Sequence, residues 1–215
     1  MWIKEFSNLL YPPVSLCPIC QVRSKSRDLP GCLDCLLSLG LTYRPLKTGF
    51  PAYALATYDG RIKELLNQIK YQNDYQLAVT FGQLMGLAVR ELAIMQKVDY
   101  LLPVPLHFSR QRKRGFNQAL AFAEGIVKVW RRPIFNKVFR VKDTLPQSGL
   151  SPSERRRNLN NAFVISKAEH VRAKHLLVID DIFTTGITFS SLANLICKYQ
   201  GHPMGLFLAQ SVGNV

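Results

Sequence analysis

The chain is poor in acidic residues, in histidine and in long apolar runs. It has 14 Asp and Glu against 28 Lys and Arg in 215 residues, which gives a formal net charge of +14, and it has four histidines. No apolar run approaches the roughly 20 residues that a membrane-spanning helix needs. The beginning, "MWIKEFSNLLYPPVSLCPIC", has neither a long apolar core nor a small-residue cleavage site. We therefore expect no signal peptide, no membrane insertion and a cytoplasmic location.

Cysteine is also scarce, and four of the five cysteines lie close together near the beginning of the chain. They form the pairs Cys17-x2-Cys20 and Cys32-x2-Cys35. Two such pairs can complete a tetrahedral four-thiolate zinc site, which is structural because no coordination position stays open. Disulfides are the weaker alternative in the cytoplasm. The fifth, Cys197, lies in a predicted helix among apolar residues, and we expect it in the core.

Residues 1–50 show little periodicity, whereas strand-like and helix-like segments alternate in residues 51–215. Helices are predicted over 60–71, 75–96 and from Asn117 as a cap, with a last helix ending at Gly201. "HLLVID" is a continuous apolar run, which is typical of a parallel strand covered on both faces. The pattern predicts an α/β domain with a mostly parallel central sheet over 51–215, preceded by a zinc-binding element over 1–50.

The basic residues are concentrated in residues 101–160, here called the basic segment. It holds 13 Lys and Arg and 3 acidic residues, a surplus of ten positive charges. Such a surplus attracts nucleic acid, pyrophosphate or other phosphorylated ligands. The alternative is a solvated basic face that aids solubility. "RQRKRGFNQ" and "SERRRN" favour binding because they are compact clusters.

The stretch "LLVIDDIFTTGIT" places two adjacent aspartates, Asp180 and Asp181, at the end of a predicted buried strand. Ligands of parallel sheets bind beyond the carboxyl ends of the strands. Ionised carboxylates accept hydrogen bonds from sugar hydroxyls, and they can also help to hold a divalent cation. The following turn offers hydroxyls, a glycine and a helix N-terminus, which suit a phosphate. The pattern therefore suits a phosphorylated ribose. The alternatives are a capping cluster or a lone metal-binding pair.

On these residues the chain resembles the type I phosphoribosyltransferases. "VIDDIFTTGIT" is similar to their signature for phosphoribosyl pyrophosphate (PRPP). The resemblance implies that Asp180 and Asp181 are catalytic and meet the ribose hydroxyls, and that magnesium bridges these hydroxyls and the pyrophosphate. It also implies a turn that cradles the 5-phosphate, consisting of Thr184, Thr185, Gly186, Ile187 and Thr188.

Further blocks resemble the competence protein F (ComF/GntX) family. These are the cysteine pairs, "YDGRIKELLNQIKY", "PVPL…RQRKRGFNQ" and "QSGLSPSERRRNLNNAF". The resemblance implies a type I phosphoribosyltransferase fold, with a pyrophosphate loop after Pro103 and a mobile loop over 147–160. Positive side chains there would stabilise the charge that develops on a pyrophosphate leaving group. The candidates in these loops are His107, Arg110, Arg112, Arg114, Arg155 and Arg156.

Three functions stay open at this point. The first is an enzyme that transfers the phosphoribosyl group from PRPP, with magnesium, to an unidentified acceptor or to water. The second is a module that senses PRPP or ribose 5-phosphate and binds single-stranded DNA. The third is an adaptor to a helicase or another DNA-uptake protein, in line with the family's role in natural transformation.

Overall fold

A mostly parallel sheet of five strands forms the centre of the protein. The computed structural model describes residues 16–22, 29–142 and 162–211. The strands of this sheet are β1 (Arg44–Pro45), β2 (Ala52–Thr57), β3 (Tyr100–Pro103), β6 (His175–Phe183) and β7 (His202–Gln210). They lie in the order β1-β2-β7-β6-β3, and only β1 runs antiparallel to its neighbour. This sheet confirms the predicted α/β class.

Helices cover both faces of the sheet, because the apolar side chains of the strands alternate between the faces. In β6, Leu177 and Ile179 belong to one buried cluster, and Leu176 and Val178 belong to the other. The first cluster includes α2 (Gly60–Tyr71), α3 (Tyr75–Val89) and α5 (Gln118–Val129), and the second includes α6 (Ile187–Lys198). Burial on both faces explains the continuous apolar run of β6.

Helices α3 and α5 approach each other closely at two glycines. A Cβ atom at Gly82 would lie 2.1 Å from the backbone oxygen of Phe122, and one at Gly125 would lie 2.1 Å from that of Val79. Any side chain at these positions would push the helices apart. The close packing of the two helices therefore requires glycine, which has no side chain, at both contacts.

Three smaller elements surround the carboxyl ends of β3 and β6. The short helix α4 (Phe108–Arg114) follows β3. The strands β4 (Val138–Arg140) and β5 (Phe163–Ile165) form a separate antiparallel ribbon. These elements carry much of the basic segment, so the fold places positive charge near the end of β6.

The N-terminal region contains the short helix α1 (Leu33–Ser38) in addition to β1. Cys17, Ile19 and Cys35 belong to the same buried cluster as α2 and α3. The boundary at residue 50 stays a prediction. None of the helices within the described ranges combines the length and the apolar character needed to cross a bilayer.

Several local expectations from the sequence were wrong. The predicted helix over 75–96 ends at Val89, because extended backbone at Leu92 redirects the chain so that Met95 is buried in a 3-10 turn. Cys197 is exposed rather than in the core, since it lies one position, about 100°, beyond the buried residue Ile196 on α6. The last helix ends at Lys198 and not at Gly201.

Candidate functional site

The acid pair, Asp180 and Asp181, lies in the part of β6 that extends beyond the end of its neighbour β3. The last residue of β3 is Pro103, which pairs with Ile179, whereas β6 continues along β7 until Phe183 pairs with Gln210. The sequence placed both aspartates just after the strand, but the structure has them within it. Beyond Ile179 the β3 side of the strand is open. Both aspartates line the resulting cavity of about 290 Å³.

Most of the carboxylate oxygens of the acid pair already accept a hydrogen bond within the protein. Asp180 Oδ1 accepts the backbone N–H of Asp181 at 2.9 Å, and Asp181 Oδ1 accepts that of Ile182 at 2.6 Å. Lys70, in the last turn of α2, places its Nζ 2.6 Å from Asp181 Oδ2. The two side chains of this ion pair are 14% and 15% exposed, so the pair is largely shielded from water.

The two carboxyl groups have different electrostatic surroundings. Burial, and then the charge of Asp181, raises the pKa of Asp180 to about 8. Burial also acts to raise the pKa of Asp181, but the adjacent Lys70 ammonium outweighs it and holds that pKa below its ordinary value. Near neutral pH the acid pair therefore carries close to one negative charge, on Asp181, and Asp180 is largely protonated.

The turn of residues 184–188, here called the phosphate turn, follows β6 and leads into the N-terminus of α6. Gly186 has φ 73° and precedes the helix. A Cβ atom there would lie 2.7 Å from the ring of Phe183. The position therefore requires glycine, which has no side chain to accept the N–H groups of the first turn. Those donors and the helix dipole suit an anion. The side chains or backbone of Thr184, Gly186, Ile187 and Thr188 line the cavity.

Three arginines also line the cavity. Arg110 and Arg114 lie one turn apart on α4. Arg140 lies on β4, is 9% exposed and has its guanidinium 5.7 Å from the ring centroid of Phe163. Together with Lys70 they give the described lining four cationic side chains against two carboxyl groups. The arrangement favours a ligand with several negative charges.

The buried side-chain amide of Gln118 has a hydrogen-bond donor that suits an oxygen atom of a ligand. Its side chain is 3% exposed and lines the cavity. Its Oε1 accepts from Arg114 at 3.1 Å, while its Nε2 has no hydrogen-bond partner among the described residues. A buried donor of this kind is normally satisfied, and a phosphate oxygen would satisfy it.

Lys70, Gln118 and Arg140 were missed in the sequence analysis. Lys70 belongs to the block "YDGRIKELLNQIKY", where helical periodicity identifies only the apolar face. Arg140 had a usable signal, because it occupies an inward position of an alternating strand, Val138–Arg140, in which Phe139 is exposed. An arginine on the buried side of a strand is rare unless it is paired or binds a ligand.

The other predicted site residues have varied positions. His107 caps α4, with Nδ1 accepting the N–H of Ser109. Arg112 is exposed and lies 5.8 Å from the ring centroid of Phe108. Neither lines the cavity. Thr185 is half-buried and is not among the residues that line the cavity. Arg155 and Arg156, with the rest of the predicted mobile loop, lie outside the described residues.

The cysteine cluster, formed by Cys17, Cys20, Cys32 and Cys35, is brought together as the spacing predicted. The four sulfur atoms lie within 4.8 Å of one another, and those of Cys20 and Cys32 are 3.9 Å apart. A tetrahedral zinc site with Zn–S bonds of about 2.3 Å has sulfur atoms about 3.8 Å apart, whereas a disulfide bond is about 2.05 Å. The cysteines are free thiols in a geometry that can hold a metal ion.

The chain is similar in sequence to proteins that are named for competence or for DNA utilization. No family model matches it. It is 36% identical to Competence protein F of Haemophilus influenzae over 140 residues, which are 62% of this chain and 61% of that protein. It is 29% identical to the DNA utilization protein YhgH of Escherichia coli (strain K12) over 189 residues, 86% of this chain and 78% of that protein. It is 28% identical to Competence protein ComFC of Bacillus subtilis over 142 residues, 66% of this chain and 56% of that protein.

These relatives confirm the resemblance to the competence protein F family. The match spans less than two thirds of the Haemophilus and Bacillus proteins. Among solved structures, the chain is similar to adenine phosphoribosyltransferase of Saccharomyces cerevisiae, with a TM-score of 0.42, 14% identity and coverage of 83% of this chain and 87% of that one. A likeness this distant supports no argument about a ligand or a reaction.

Proposed function

We propose that the protein binds a phosphorylated ribose, PRPP above all, and acts in the cytoplasm in the uptake or use of DNA, as the names of its relatives indicate. The observation that carries the ligand is the joining of three features in one cavity. These are the acid pair for sugar hydroxyls, the phosphate turn for the 5-phosphate, and the arginines of α4 and β4 for a second anionic group.

The proposed reaction is transfer of the phosphoribosyl group. The bond between C1 of the ribose and the pyrophosphate oxygen breaks, its electron pair leaves with pyrophosphate, and a nucleophile forms the new bond at C1. Arg110, Arg114 and Arg140 stabilise the charge on the leaving group. Arg155 and Arg156, in the loop over 147–160 that the resemblance implies, are proposed to add to this stabilisation. The acceptor is an unidentified nucleophile or water.

Two metal ions belong to this proposal. Zinc, held by the cysteine cluster, is proposed to be structural, since four thiolates complete its coordination. Magnesium is implied by the resemblance, but the acid pair does not fit it as a direct ligand, because the Lys70 ammonium lies 2.6 Å from Asp181 Oδ2 and would repel a cation bound at the same oxygens. Magnesium is therefore proposed to arrive with the pyrophosphate of the ligand, and not to be held by the acid pair.

The test is a calorimetric titration with PRPP and magnesium, with pyrophosphate followed by phosphorus NMR. We expect the variant Asp180→Asn/Asp181→Asn to lose at least about 2 kcal/mol of PRPP binding free energy, because the acceptors of the ribose hydroxyls are gone. The matched control is Asp59→Asn, which changes an exposed aspartate before α2. Unchanged PRPP binding by the double variant would refute the site.

Single-stranded DNA is a second candidate ligand, favoured by exposed aromatic side chains beside the cavity. Phe108 is 69% exposed and Phe139 is 49% exposed, and both line a second cleft of about 350 Å³. Arg112 lies over the ring of Phe108. Aromatic platforms among basic side chains are typical of proteins that stack nucleobases. Trp130, by contrast, is buried.

The test is fluorescence polarisation with a labelled single-stranded oligonucleotide at several salt concentrations. We expect Phe108→Ala/Phe139→Ala to weaken binding by about 2 kcal/mol, because two stacking platforms are removed. Leu37→Ala is the control, since Leu37 is an exposed apolar residue on α1. Binding that is unaffected by both salt and the double substitution would exclude this surface.

A further inference from the structure

Lys70 is the cationic residue of the cavity that neither the signature nor the proposed reaction uses. It lies on α2, far in sequence from β6, and contacts Asp181 Oδ2 at 2.6 Å. Lys63 on the same helix is exposed. The fold therefore brings one particular ammonium group to the acid pair, where a divalent cation is commonly bound in sites with adjacent carboxylates.

We propose that Lys70 is the built-in counter-ion of the acid pair, and that the protein consequently binds ribose phosphates without a divalent cation held by its carboxylates. The inference rests on the proposed function and adds to it the metal requirement of the site. It also assigns Lys70 as a positioning residue, which fixes Asp181 as an acceptor for ribose hydroxyls.

The coordination chemistry supports this assignment. Mg²⁺ prefers near-ideal octahedral geometry at about 2.0–2.1 Å and gives up its water reluctantly. At Asp181 it would have to displace an ammonium at 2.6 Å or sit beside it. Displacement would leave Lys70 largely buried without its partner, and removal of one partner from a buried pair is strongly unfavourable.

The charge of the whole lining points in the same direction. Four cationic side chains face two carboxyl groups in the described part of the cavity, so a free divalent cation is repelled while an anion is attracted. Burial alone would lower the pKa of Lys70, but the charge of Asp181 outweighs this and raises it. The ammonium therefore stays charged at neutral pH.

Sugar hydroxyls can still bind beside Lys70. Each carboxylate oxygen has two lone pairs, so an oxygen that accepts one protein donor can also accept a hydroxyl. An ammonium has three donors, of which the contact with Asp181 uses one. Since Lys70 lines the cavity, it can also donate to a ligand oxygen. A ribose diol thus meets a pre-formed, neutralised pair.

The experiment uses ribose 5-phosphate as the probe, because it has the hydroxyls and the 5-phosphate but no pyrophosphate to chelate the metal. Calorimetric affinities are compared in EDTA and in saturating magnesium chloride. For the wild-type protein we expect the two values to agree within about twofold. Magnesium alone should give no binding heat with the ligand-free protein.

For Lys70→Met we expect affinity in EDTA to fall at least about tenfold, with partial recovery in magnesium, because the unneutralised carboxylates then recruit the cation. Lys70→Arg should keep binding independent of magnesium. Lys63→Met is the matched control and should behave as the wild type. Circular dichroism checks the fold, and the wild-type comparison decides the question even if Lys70→Met does not fold.

Dependence of wild-type binding on magnesium for ribose 5-phosphate would overturn the inference, while PRPP binding in magnesium would leave the proposed function standing. The inference would also be overturned if magnesium changed the ribose 5-phosphate affinity of the wild type and of Lys70→Met by the same factor. No binding of either PRPP or ribose 5-phosphate in any buffer would overturn both the inference and the proposed function.

Discussion

The cysteine cluster and the acid pair both gather ionisable side chains in partly buried places, but their charges are balanced differently. All four members of the cysteine cluster become negative when they ionise, and no cationic side chain is among them. Burial, hydrogen bonds that the Cys35 thiol donates to Cys32 and Cys20, and the charges of Cys17 and Cys20 raise the pKa of Cys35 to about 12. The acid pair, in contrast, has a cationic partner, because the Lys70 ammonium contacts Asp181.

The difference shows which site depends on a cation from outside. Four thiolates held this close would repel one another, so the proposed zinc ion is what would allow the cysteine cluster to ionise. The acid pair has a cationic partner in its own chain, Lys70, and its proposed ligand group is an uncharged diol. Two clusters of acidic groups thus lead to opposite expectations about metals.

The largest expected effect comes from breaking the cysteine cluster. Cys17→Ser/Cys20→Ser should lower the bound zinc from about one equivalent to nearly none and cost at least about 5 kcal/mol of unfolding free energy, because the metal supplies folding energy to this region. Atomic absorption and chemical denaturation measure the two effects. Cys197→Ser is the matched control, since this cysteine is exposed and outside the cluster. Unchanged zinc content in the double variant would refute the site.

A smaller effect concerns the proton on Asp180. Its pKa in the folded protein is raised to about 8, so the folded state binds more protons than the unfolded state between about pH 4 and pH 8. Stability that depends on this proton is present at low pH and is lost as the pH rises towards 8. An asparagine does not titrate and avoids this loss.

We therefore expect the stability of Asp180→Asn relative to the wild type to increase from pH 5 to pH 8, by about 2 kcal/mol after allowance for solvent screening. Thermal unfolding across this range measures the difference. Asp59→Asn, at an exposed position, should show no such trend. A constant difference between Asp180→Asn and the wild type would show that Asp180 is ionised in the folded protein at pH 5.

Local patterns predicted the parts of the site that are contiguous in sequence. The apolar run before Asp180, the glycine of the phosphate turn and the spacing of the cysteines each reflect a constraint within a few residues. The helical cap at Asn117 was predicted for the same reason and is confirmed, since its side chain accepts the N–H of Ala119.

Contacts between distant segments could not be predicted in this way. The periodicity of α2 identifies its buried stripe but not the carboxylate that Lys70 meets. The exposure of Cys197 depends on the position of one residue relative to the buried stripe of α6. Both outcomes depend on how a helix is rotated and packed against the rest of the protein.

The sequence by itself determined that the chain has a parallel α/β sheet, a four-cysteine cluster and an acid pair followed by a phosphate turn. These follow from hydrophobic periodicity, ligand spacing and backbone conformation, which act over short distances along the chain. Only the tertiary structure decided that Lys70 neutralises Asp181 and that Arg140 faces the same cavity. The physical reason is that electrostatic energy depends on the distance between charged groups and on their burial, and the local pattern of residues determines neither.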